Sequence, residues 1–109
     1  MLPLLVFSTF PDAETARRVA RACVEERLAA CGNLVPGLES IYRWKGRIET
    51  ATEVLVLFKT TDEAYPRLEA RLKEMHPYEV PEIVAVTPSG GLPCYLEWVV
   101  DSCIGETGE

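Results

Sequence analysis

No apolar run in this 109-residue chain approaches the ~20 residues of a membrane-spanning helix, and no stretch gathers lysine and arginine. With 17 acidic side chains against 11 basic ones, the net charge is −6. That balance lacks the electrostatic footprint for a phosphate backbone or an anionic lipid surface, so neither nucleic acid nor a membrane is expected as a partner. The four cysteines, Cys23, Cys31, Cys94 and Cys103, form no CxxC pair, which removes the usual signals for a zinc knuckle or a thioredoxin-like redox site. There is a single histidine, His76. GxSxG elbows, Walker loops and HExxH helices are all missing. A Cys31–His76 couple is the one nucleophilic arrangement left open, and nothing marks either residue as activated. An enzyme is not expected.

What is present has the balance of a globular protein, 48% apolar and 26% charged, in a length that suits one domain over residues 1–109. A domain of this size needs neither disulfides nor a structural metal to fold. The thiols then read as small core residues in a reducing compartment. The opening MLPLLVFSTF has no basic leader and runs at Pro11-Asp12 straight into a helix. It reads as a first strand, and the cytoplasm is the expected compartment.

Leu4 to Phe10 is a short apolar run that suits a buried strand, and Asp12 is placed to cap the helix after it. Ala16, Val19, Ala20, Cys23, Val24, Leu28 and Cys31 recur at helical steps, predicting one amphipathic helix from Ala13 to about Cys31 with Gly32 as its C-terminal stop. On such a helix Cys23 and Cys31 stand ~12 Å apart, too far for a disulfide. Asn33 to Trp44 reads as extended with a bend at Pro36-Gly37, Lys45-Gly46-Arg47 as a hairpin turn, and Glu53 to Lys59 as the buried part of the return strand. Thr61 or Asp62 is expected to cap a second helix carrying Leu68, Leu72 and Met75, which His76-Pro77 ends. Glu82 to Val86 gives a fourth strand, and Tyr95 to about Cys103 a terminal helix. The order βαββαβ plus a helix predicts an α+β, ferredoxin-like antiparallel sheet with both main helices on one face. An acylphosphatase, which shares that fold, would need an arginine-bearing phosphate loop where this chain has Ser8-Thr-Phe-Pro-Asp12.

The hairpin from Asn33 to Thr60 is much longer than the strands beside it, so its outer half must project. A lone two-stranded ribbon is marginal in water and its edges invite pairing. The sequence therefore predicts self-association, with Tyr42 and Trp44 on the ribbon as interface anchors.

Leu28-Ala-Ala-Cys-Gly-Asn-Leu-Val-Pro-Gly37, Ser40-Ile-Tyr-Arg-Trp-Lys-Gly46, the strand from Glu53 to Thr61, His76-Pro-Tyr-Glu-Val-Pro-Glu82 and Tyr95-Leu-Glu-Trp98 stand in the order of the corresponding segments of the CutA divalent-cation-tolerance family, which this chain resembles over all but residues 105–109. The resemblance implies a homotrimer with hairpins reaching to neighbouring subunits and a role in tolerance of divalent metal ions, copper especially. It also implies a likeness to PII-type signalling trimers, which makes a small regulatory ligand in the clefts between subunits the competing expectation.

His76 occupies the place of a metal-binding imidazole in that family. The resemblance implies partners from a cysteine late in the first strand and a histidine next to His76, and those positions hold Ser8 and Met75 here. A thioether is a ligand for Cu(I), whereas a serine is a poor one for copper. Met75 and the nearby carboxylate of Glu79 are accordingly weak candidate ligands beside His76. No tightly bound cofactor is expected, only copper or another divalent cation held loosely. The plainer reading of His76 is that it caps the second helix at its C-terminus, where an imidazolium meets the dipole. Glu53 and Lys59 share a strand face and read as an ion-pair device.

Overall fold

The structure, a computed structural model, describes residues 1–104. Residues 105–109, which the family resemblance leaves out, lie outside the described part. The first apolar run is β1 (Pro3–Phe10), and Asp12 caps α1 (Ala13–Glu25) by accepting from the Thr15 N–H at 2.7 Å. Next along the chain come β2 (Cys31–Trp44), β3 (Arg47–Thr61), α2 (Tyr65–Met75), the short β4 (Val84–Val86) and α3 (Pro93–Ser102). The sheet runs in the order β2-β3-β1-β4 with every pairing antiparallel, the expected ferredoxin-like arrangement.

Alternation decides the two faces of the sheet. Val6, Phe10, Val54, Val56 and Phe58 point to the side covered by the helices, where they meet Ala16, Val19 and Cys23 of α1 and Leu68 and Leu72 of α2. The buried Cys23 thiol is pushed up to about 12, chiefly by burial, which leaves it an inert packing group. Ser8 sits in the same buried row, and its hydroxyl has no partner among the described residues. A smaller cluster of Ala30, Ala64, Val99 and Cys103 fixes α3 at the end of the sheet.

The first helix is shorter than its periodicity predicts. Arg27 adopts φ 61°, its N–H donates to the Val24 carbonyl, and the Leu28 N–H reaches back to the Cys23 carbonyl at 2.9 Å. That is a Schellman closure with arginine in the left-handed position. Leu28 to Ala30 remain buried without being helical, and this is why the apolar spacing runs on past the true end. Gly32 is therefore a strand residue and not a helix stop. A Cβ there would stand 3.3 Å from the Ala20 Cβ, so the missing side chain lets α1 lie close on β2. Cys31 opens β2, and the helical distance between Cys23 and Cys31 does not apply; all four thiols are free.

The second helix has Ala64 as its N-cap residue with no side-chain cap. Thr61 closes the preceding turn, its hydroxyl accepting from the Ala64 N–H at 3.1 Å. Asp62 faces the other way, accepting from the Leu2 N–H at 2.8 Å and tying the start of β1 to the end of β3. The fourth strand keeps only three residues, because Pro77 and Pro81 hold the preceding segment away from the ladder.

The long hairpin behaves as its length requires. Trp44 pairs with Arg47 around a two-residue turn in which Lys45 and Gly46 both have positive φ, and the strands shift register between Val35 and Leu38 beside Gly37 at φ 76°. From Val54 onward β3 is flanked by β1, but Arg47 to Glu53 pair with β2 alone. The free ribbon stretches the molecule to 49 Å against 27 and 21 Å in the other directions. Ile41 and Ile48 are 69% and 62% exposed on it.

Candidate functional site

His76 is the C-cap residue of α2, its N–H donating to the Leu72 carbonyl at 2.9 Å. The ring turns away from the helix, into the sheet. It stacks on Phe10 with centroids 4.4 Å apart and planes at 18°, and only 8% of the residue is exposed. Nδ1 accepts from the Tyr78 N–H at 3.2 Å, so Nε2 carries the proton and donates to the Thr9 carbonyl at 2.8 Å. Burial holds the imidazole below its ordinary value of 6.5, against the smaller opposing pulls of the Thr9 carbonyl and Glu53. His76 is thus the C-terminal cap residue that the plainer reading expects, but its ring is neutral and doubly hydrogen-bonded, not an imidazolium meeting the helix dipole.

Tyr78 crosses from this ring to the hairpin. Its hydroxyl donates to Glu53 Oε2 at 2.6 Å, and its ring tilts against His76 at 4.9 Å. Burial and the adjacent carboxylate both disfavour a phenolate, so the Tyr78 hydroxyl is held well above its usual range and stays a donor. Glu53 is buried beneath it. Pro77 and Pro81 fix the backbone on either side of Tyr78, and so the segment from residue 76 to 82 leans onto the base of the ribbon.

Between that segment and the ribbon opens a cleft of about 650 Å3. Thr9, Glu53 and Tyr78 line it, with Tyr42 and Trp44 contributed by the hairpin and Glu79 and Glu82 by the loop. Three of the expected site residues, Glu79, Tyr42 and Trp44, therefore share one cavity, with His76 joined to it through Tyr78. Met75 does not: it is half-buried and packs against the main core. Among the described residues no three of His, Cys, Asp and Glu are gathered closely enough to hold a metal ion. The groups free to meet a cation from the cleft are carboxylates. A bond from His76 Nδ1 to a metal would first require the Tyr78 N–H to leave it.

The Tyr78–Glu53 pair is not legible in the sequence, whose strand pattern assigns Glu53 to Lys59. Each of those residues has its own partner instead, Tyr78 for Glu53 and Asn33 Oδ1 for Lys59. A glutamate opening an otherwise apolar run is the available signal, since a buried carboxylate calls for a donor. Cys31 lies at the Lys59 end of β2, opposite Lys59, while His76 lies against Thr9 and Phe10, so the two form no catalytic couple.

Comparison with known proteins agrees with this fold. The profile of the CutA1 divalent ion tolerance protein family matches residues 4–102. The divalent-cation tolerance protein CutA of Thermus thermophilus is 54% identical, over 87% of this chain and 92% of its own. Protein CutA of mouse is 48% identical over 85% of this chain, which spans only about half, 52%, of the mouse protein. The crystal structure of CutA from Xylella fastidiosa superposes with a TM-score of 0.92 at 43% identity, covering 95% of this chain and 100% of that one. With a family match over nearly its whole length and the same fold in a close relative, this chain belongs to the CutA1 divalent ion tolerance family.

Proposed function

We propose that the protein is a homotrimeric binding protein of the cytoplasm that contributes to tolerance of divalent metal ions, copper among them, through loose and reversible binding at the Glu53–Tyr78 cleft. The observation that carries this reading is the cleft itself: carboxylates of Glu53, Glu79 and Glu82 face a cavity on a chain of net charge −6. Hard and borderline cations prefer such oxygen ligands, and His76 lies one hydrogen bond behind. Trimer formation is supported by the ribbon, whose Ile41, Tyr42, Trp44 and Ile48 are all exposed, and by the exposed Val84 and Val86 of β4. Four free thiols fit a reducing compartment. Binding, not catalysis, is the role that the engaged His76 ring and the inert Cys23 thiol support.

Copper and zinc titrations of the full chain under reducing conditions test the proposal. Copper should bind with a stoichiometry tied to subunits and a dissociation constant in the micromolar range or looser, about −8 kcal/mol or less favourable. Replacing Glu79 and Glu82 together by glutamine should weaken it further than either change alone, because ligands of one site are coupled. Nanomolar binding by the parent, or no response to the double glutamine substitution, would move the site elsewhere. The size of the cleft and its aromatic wall favour one competing reading, a small organic effector of the PII type. A nucleotide that raises the melting temperature without metal would favour that reading.

A further inference from the structure

The floor of the cleft between the ribbon and the segment from 76 to 82 holds two polar side chains with hydrogen-bonding capacity to spare. Phe10 and Val54 pair across β1 and β3 and point under the helices, so their neighbours Thr9 and Glu53 point to the opposite face, where both line the cleft. Thr9 stands directly opposite Leu55, which places Glu53 on the diagonal, with the two Cβ atoms about 7 Å apart. Both are buried within the single subunit, each only 7% exposed. Glu53 Oε2 accepts from the Tyr78 hydroxyl at 2.6 Å, and among the described residues Oε1 has no donor. The Thr9 carbonyl accepts from His76, while the Thr9 hydroxyl has no partner among the described residues. Nor does Glu53 make an ion pair among them. A buried carboxylate with one free oxygen and no cation beside it calls for one.

The kind of cation follows from what the pair offers. A hard divalent ion takes about six oxygen ligands, and here there are two. A guanidinium is held best by both oxygens of one carboxylate, and Tyr78 already occupies one of them. An ammonium carries a single charge and donates through separate N–H bonds, which suits one carboxylate oxygen and one hydroxyl. We propose that the floor of the cleft binds the ammonium group of a small primary amine, with Glu53 Oε1 and Thr9 Oγ1 accepting from it and the body of the amine lying along Pro77, Tyr78 and Val80. Those three residues give the cleft an apolar and aromatic wall, and a cation is attracted to the face of such a ring. The volume of about 650 Å3 suits a small organic ligand and far exceeds a bare ion. Every contact comes from β1, β3 and the loop of one subunit, so none depends on Tyr42 or Trp44, the expected subunit anchors. The inference rests on the cleft being the ligand site of the metal reading. It adds an organic ligand on the floor and leaves Glu79 and Glu82 to the metal.

The test is a titration of the full chain, in its native oligomeric state, with phenethylammonium chloride, tetramethylammonium chloride and sodium phenylacetate, read from backbone amide shifts. Saturable shifts at Thr9, Glu53 and Tyr78 are expected with phenethylammonium. Tetramethylammonium has the charge without an N–H to donate, and phenylacetate has a similar body with the opposite charge. Both should bind at least about tenfold more weakly. Glu53→Gln keeps an acceptor for Tyr78 and should weaken phenethylammonium by about tenfold or more, as loss of a charge-assisted hydrogen bond does. Thr9→Val keeps the shape of the side chain and should weaken it by about threefold, with copper affinity unchanged. The double glutamine variant at Glu79 and Glu82, which should lose copper, should keep phenethylammonium within about threefold, because those carboxylates are exposed. Failure here and failure of the metal reading are thereby distinguishable. Shifts that do not saturate by about 50 mM, as in a cleft filled by a neighbouring subunit, would overturn the proposal. So would phenylacetate or tetramethylammonium binding as tightly as phenethylammonium, or a folded Glu53→Gln with unchanged affinity. If that variant does not fold, unchanged affinity in Thr9→Val overturns it equally.

Discussion

The two halves of β3 are one continuous strand in two unlike situations. From Val54 to Thr61 it lies between β2 and β1, with Val56 and Phe58 fully buried under the helices. From Arg47 to Glu53 it has one neighbour only, and residues such as Ile48 stand in the open. The inner half is held by its own subunit. The outer half has the hydrogen bonds of a sheet without the burial that stabilises one, so its apolar side chains serve whatever covers them. Glu53 and Tyr78 mark the junction, where a hydrogen-bonded loop braces the ribbon as it leaves the core.

The sharpest way to break this contrast is to truncate the same strand at both ends. Phe58→Ala should cost about 3–5 kcal/mol in denaturant unfolding, because a fully buried ring leaves a cavity. Ile48→Ala should cost under about 0.5 kcal/mol in the dissociated subunit. Equal losses would mean that the ribbon is folded into its own subunit after all. If the proposed trimer forms through the ribbon, Trp44→Asp should leave the far-ultraviolet circular dichroism nearly unchanged while lowering the trimer fraction in sedimentation, since a charge would go unpaired at that interface. A variant that stays trimeric would remove Trp44 from the interface.

Gly32→Ala tests the inner half more gently. The new methyl meets the Ala20 Cβ at 3.3 Å between α1 and the sheet, and overpacking of that kind costs about 1–3 kcal/mol. Were Gly32 a helix stop, the substitution would act through backbone strain instead, yet Gly32 has no positive φ.

The pH dependence of stability reports on the junction. His76 is held below 6.5 in the folded protein by burial, so between 6.5 and its folded value the unfolded chain binds the extra proton. Its contribution is therefore complete above pH 6.5 and is lost as the pH falls through the folded value. Urea midpoints measured downward from pH 7 should decline before the carboxylates titrate, and His76→Gln should flatten that decline. An unchanged slope in the variant would assign the effect to other groups. The smallest effect belongs to Ser8→Ala. Removing a buried hydroxyl that has no partner should leave stability unchanged or raise it by up to about 1 kcal/mol, read as a shift in the urea midpoint.

Local patterns in the sequence determined the elements and their order, because hydrophobic spacing, the Asp12 cap and the Lys45-Gly46 turn act over a few residues. They determined the projection of the ribbon as well, since strand lengths that do not match leave no other place for it. What they misplaced was the end of α1. Leu28 to Ala30 are buried for tertiary reasons and so prolong a helical pattern that Arg27 has already closed. The chemistry of the site was decided almost wholly by the tertiary structure. The sequence named His76, Glu79, Tyr42 and Trp44, but it could not say that both nitrogens of His76 are engaged, that Met75 packs against the core, or that Glu53 answers to Tyr78 and Lys59 to Asn33. Those partners lie 25 residues apart in one pair and 26 in the other, and no local propensity selects among so many possible donors and acceptors. Only packing the loop from 76 to 82 onto the base of the ribbon, and β2 against β3, brings each charge within reach of the one group that satisfies it.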